Sequence, residues 1–193
     1  MNRVTPRRLF LVGAALAVTP QFVQAHGSHD QIQGLIAGCA HPFTGWDHLL
    51  AMAAVGIWAA QLGGAARWLV PVAFMGTAAF GAVVGGPWLL PALTEPMILT
   101  SLLVLGLLIA TAIRLPVAAS AALVAGFAFF HGAGHFAAQP HGNGTLSAAL
   151  GLLLASGFVH AVGFAAGMKA ERSSTFITRL LGAAVAMTGL AFL

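Results

Sequence analysis

A chain of 193 residues that is 59% hydrophobic, 6% charged and devoid of Tyr is not built to fold in water, because a soluble domain carries roughly 25% charged residues. A mean hydropathy of +0.93 agrees, and the composition reads as an all-α, polytopic transmembrane helix bundle. The net charge of +4 does not mark a nucleic-acid binder: outside Arg3, Arg7 and Arg8, the basic residues Arg67, Arg114, Lys169, Arg172 and Arg179 nearly balance Asp30, Asp47, Glu95 and Glu171, and no basic stripe is left for phosphates.

Residues 1–25 read as a secretory signal peptide. Arg3, Arg7 and Arg8 are its basic start, Leu9 to Val18 its apolar run, and Val23-Gln24-Ala25 its small-residue cleavage site. An uncleaved first helix is the other reading, although the run is short for a span. Cleavage after Ala25 places His26 at the new N-terminus, with His29 close behind. Such a tail either captures cations or is a polar lead-in. Residues 31–40 are mildly apolar and too short to span, so they are expected at the interface or dipping inward. Cys39 excludes an internal disulfide and is either a thiolate ligand or a small buried group.

The next stretch, His41-Pro42-Phe43-Thr44-Gly45-Trp46-Asp47-His48, stands at the mouth of an apolar run. An acid at the edge of a bilayer costs on the order of 3 kcal/mol or more, so it is normally paired, and a cation suits Asp and His together. Pro42 and Gly45 break the backbone, predicting a bent entry and a helix beginning near Trp46 or Asp47. The alternative is a solvated helix N-terminus in the headgroup layer. Met52, four residues beyond His48, suits either a soft ion or the core.

Six spans are expected over residues 46–62, 68–84, 97–113, 116–136, 145–168 and 176–193, forming a single transmembrane domain over 26–193. Residues 87–96 read as a Pro-rich loop with a solvated Glu95, and Lys169 to Ser174 as a polar connection. With the N-terminus outside, every Lys and Arg of the mature chain falls in an inner loop, consistent with the positive-inside rule. The histidines do the opposite. His26, His29, His41, His48, His131, His135 and His141 gather at the outer end, while His160 lies about 14 residues into its span, or about 21 Å deep. The pattern describes imidazoles that collect something outside and pass it inward.

His131 and His135 share a helix face, so both rings can reach one cation or can hydrogen-bond between helices. Gly132 and Gly134 between them permit close helix approach. His160 is either a satisfied buried group or a ligand. No phosphate-binding Gly-x-x-x-x-Gly-Lys-Ser/Thr sequence and no Gly-x-Ser-x-Gly elbow occurs, so no enzymatic activity is expected.

On His41-Pro42-x-x-Gly45-x-Asp47-His48-x-Leu50 and Phe130-His131-Gly132-x-x-His135, the chain resembles the HupE/UreJ family of bacterial membrane proteins, regarded as nickel or cobalt permeases. The resemblance runs over most of the mature chain. It implies metal roles for His41, Asp47, His48, His131 and His135, to which depth adds His160. The family's second motif continues to a Glu where this chain has Ala138. The resulting expectation is a secondary permease in the bacterial inner membrane that imports a divalent transition metal and carries no prosthetic group. Ni²⁺ comes first and Co²⁺, Cu and Zn²⁺ are alternatives, with a functional link to hydrogenase, urease or cobalamin maturation. Imidazole suits several of these ions, and affinity order alone does not choose among them. The alternatives are a haem- or metal-binding redox protein and a metal-binding accessory or sensor protein that does not transport.

Overall fold

The computed structural model describes residues 28–84, 91–138 and 145–193. All described secondary structure is helical: α1 (Ser28–Ala40), a 3₁₀ turn (His41–Phe43), α2 (Trp46–Leu62), α3 (Ala66–Val84), α4 (Pro91–Thr111), α5 (Val117–Ala138), α6 (Thr145–Ser173) and α7 (Thr175–Phe192). Five of them, α3 to α7, are long and apolar enough to cross a membrane. The expected signal peptide, His26 and the loop carrying His141 lie outside the described residues.

Helix α2 is the axis of the bundle. Its 17 residues rise about 26 Å, and Ala51, Met52, Ala54, Val55, Trp58 and Ala59 along it are sealed from the surface. It packs on α6 and also touches α3 and α4, while α3 pairs with α5 and α4 with α7. Small residues set these distances. A Cβ on Gly56 would strike the backbone of His160 and Phe164, and one on Gly163 would strike Ala53, so α2 and α6 meet backbone to backbone. Gly132 lies in the same way against Ala78 and holds α5 on α3.

The outer surface is apolar, as lipid requires. On α6, Leu146, Leu150, Leu154, Phe158 and Val162 form an exposed stripe at four-residue spacing, whereas Ser156, Val159, His160 and Gly163 face inward. Helix α1 is a short helix laid on α6, with Gly38 against Ala148 and with Ile32 and Ile36 exposed.

Two expected boundaries are corrected. Residues 91–96 are helix rather than Pro-rich loop: Pro91 opens α4, where its missing N–H costs nothing, and Pro96 is accommodated further in. Glu95 is therefore helical, though exposed as expected. Lys169 to Ser173 continue α6, because Lys, Ala, Glu and Arg are good helix formers and the helix outruns its apolar part. The chain turns only at Ser174, whose hydroxyl accepts from the Phe176 N–H at 3.2 Å. Helix α2 starts at Trp46 as expected, with Gly45 extended before it.

Candidate functional site

Asp47 and His48 occupy the first turn of α2. Asp47 Oδ1 lies 3.1 Å from His48 Nδ1, and the two side chains are 20% and 19% exposed. A carboxylate beside Nδ1 accepts the Nδ1–H and leaves the lone pair on Nε2, the arrangement that orients histidines for metals. Gly45 makes this possible, since a Cβ there would stand 3.0 Å from Asp47 Oδ1 and 3.1 Å from His48 Nδ1. The other side of the His48 ring faces α5, where the position of a Gly134 Cβ lies 3.8 Å from Nε2.

The His48 ring meets His131 of α5 edge-on, with centroids 5.0 Å apart. His131 then abuts Phe74 of α3 at 5.2 Å, and Phe74 abuts His160 of α6 at 4.8 Å. Four helices thus contribute one file of rings: His48, His131, Phe74, His160. Beyond His48 the file is dry, His131 being 1%, Phe74 3% and His160 3% exposed. Each buried imidazole has its Nδ1 near a carbonyl one turn earlier, at 3.4 Å from Phe127 O for His131 and 2.7 Å from Ser156 O for His160. With Nδ1–H donated there, Nε2 carries the lone pair. In both residues Nε2 is buried without a hydrogen-bond partner, a condition that costs about 1–3 kcal/mol unless something occupies it.

His41 sits in the 3₁₀ turn ahead of α2. Burial first, and the neighbouring His48 imidazole second, hold its imidazole below the usual histidine range. His135 lies four residues after His131 on the same face of α5, but its side chain and that of His29 are outside the described residues. Among the described residues no three His, Cys, Asp or Glu side chains are grouped closely enough to hold one ion. What is brought together is the Asp47–His48–His131 edge and, beyond Phe74, a separate His160. Met52 is buried in the apolar core, and Cys39 is a partly buried free thiol beside Gly151 of α6. Phe74 was not legible in the sequence, where it is one Phe among 13; only the convergence of α3, α5 and α6 singles it out.

The model of the family described as HupE / UreJ protein matches residues 14–192. The chain is 38% identical over 182 residues to Protein HupE of Rhizobium leguminosarum bv. viciae, an alignment spanning 93% of this chain and 94% of that one. No solved structure matches.

Proposed function

Taking as premise that the chain belongs to the HupE/UreJ family and is a multi-pass protein of the inner membrane, we propose that it is a secondary permease importing a divalent transition metal ion, Ni²⁺ first and Co²⁺ second. The observation that carries this reading is the pair of buried, unpartnered Nε2 atoms of His131 and His160, in file with an Asp-oriented His48 at the bundle's mouth. Neutral imidazole suits Ni²⁺, Co²⁺, Cu²⁺ and Zn²⁺.

In this reading His41 and the outer histidines take the ion from water. His48, oriented by Asp47, holds it next to His131, and the i+4 position of His135 makes it a further candidate ligand. The file then offers a second station at His160. Between the stations stands Phe74, whose ring touches both imidazoles. The ion cannot pass from His131 to His160 along the file unless this ring turns aside, so Phe74 acts as a gate. The proposed direction, outer histidines to inner arginines, follows the charge asymmetry of the loops.

Flux assays in liposomes test the reading. Purified protein in vesicles containing a trapped nickel-sensitive dye is expected to admit Ni²⁺. Binding without flux supports an accessory or sensor role instead, and a Soret band in the purified protein supports a haem protein.

Two further outcomes are expected. Replacing Phe74 with Trp should leave outer-site Ni²⁺ binding intact but lower flux by roughly tenfold, since overpacking a filled core restricts ring movement; equal flux removes the gate. Protons compete with metal for the same lone pairs, so uptake should be full above about pH 7 and fall as pH drops through about 6.5, the ordinary imidazole value. His41, held below the usual histidine range by burial, keeps its lone pair further into that descent than a solvated imidazole, and His41→Ala should therefore reduce uptake below about pH 6.5 as well as above it. Uptake that rises with acidity contradicts the imidazole account.

A further inference from the structure

At the end of α2 opposite His48, three cations from three separate segments converge on one cavity of about 310 Å³. Arg67 comes from the first turn of α3, Arg114 from the α4–α5 connection and Arg172 from the last turn of α6. Gln61, Met168 and Glu171 share the lining. The chain is shaped to bring them there. Gly63 and Gly64 adopt left-handed backbone, with φ of 75° and 50°, just before Arg67, and Ala112 does so at 58° just before Arg114. Gln61 Nε2 is anchored to Ile109 O at 3.1 Å, and Trp58 Nε1 to Ile113 O at 3.4 Å.

A bias of basic residues toward one side of a membrane requires no convergence. Here three guanidinium groups face one space with a single carboxylate, and no ion pair joins them to any acid among the described residues. A ligand that suits three guanidinium groups carries a phosphate. The neighbours of the arginines are apolar and exposed: Trp68 at 74%, Leu69 at 50% and Ile113 at 47%. That surface suits acyl chains, which a soluble anion lacks. Basic pockets between membrane helices are where anionic headgroups bind.

We propose that this cavity binds an anionic phospholipid of the phosphatidylglycerol type, its phosphate held by Arg67, Arg114 and Arg172. The site is independent of metal transport. Native mass spectrometry and thermal unfolding of the full-length protein in detergent test it, with phosphatidylglycerol, phosphatidic acid, phosphatidylcholine and soluble glycerol phosphate as probes. Phosphatidylglycerol and phosphatidic acid should be retained and should raise the unfolding temperature, and phosphatidylcholine and glycerol phosphate should do neither. Each Arg→Gln change at 67, 114 or 172 should weaken retention about fivefold and the triple variant about 100-fold, whereas Arg179→Gln, outside the cavity, should change nothing. The single variants, exposed at the surface, decide the matter if the triple variant does not fold. Retention unaffected by the three arginines, or phosphatidylcholine binding as tightly as phosphatidylglycerol, overturns the site. An effect of glycerol phosphate equal to that of phosphatidylglycerol overturns the lipid.

Discussion

Cells carrying His48→Ala are expected to take up Ni²⁺ at background level, and Asp47→Asn is expected to weaken metal affinity by about 10–100-fold, the usual cost of removing a group that orients a ligand. The difference between the two follows from their roles. His48 offers Nε2 toward His131 and α5, and its loss removes a donor atom. Asp47 touches His48 through Nδ1, so Asn in its place keeps the shape but weakens the hold on the tautomer. Neither residue is in the bundle's apolar core, so both variants should be made and folded normally. Undiminished uptake in both variants would remove the proposed entry site.

The second large effect is on folding. Gly56→Leu should abolish recovery of monodisperse protein, and Gly163→Leu should do the same. A side chain at either position meets backbone, at His160 and Phe164 from Gly56 and at Ala53 from Gly163, and backbone in a packed helix pair has nowhere to go. Overpacking of flexible side chains typically costs 1–3 kcal/mol, and a clash with main chain on both helices exceeds that. The controls are Gly76→Ala and Gly126→Ala, where an added Cβ meets nothing within 4 Å. Size-exclusion profiles after detergent extraction should separate the two pairs cleanly; normal profiles for Gly56→Leu would mean that α2 and α6 are not in contact there. Because Gly56 faces the carbonyl of His160, this helix contact also fixes the depth and direction of the inner imidazole.

Much of the fold was legible because lipid leaves a chain few choices. Long apolar runs must be helices, and Pro42 with Gly45 marks the entry to α2. The errors came where local signals carry two meanings. Pro91 and Pro96 look like loop residues, yet Pro is favoured in a helix's first turn and tolerated further in when neighbours reseal the backbone. The polar run after Met168 looks like a connection, yet its residues favour helix. At the site, the i, i+4 relation of His131 and His135 and the placement of Asp47 beside His48 were readable from spacing. The three-dimensional facts were not. Phe74 between two imidazoles and three arginines around one cavity depend on which helices touch, and apolar helices with little sidedness do not announce their partners.

In the proposed permease, imidazole nitrogens of His48 and His131 hold the transported ion. X-ray absorption at the nickel edge, on wild type, His48→Ala and His131→Ala loaded with one equivalent of Ni²⁺, measures this directly. Imidazole scattering is expected in the wild type and should drop by one ring in each variant. A nickel spectrum without imidazole, or one left unchanged by both substitutions, would contradict it.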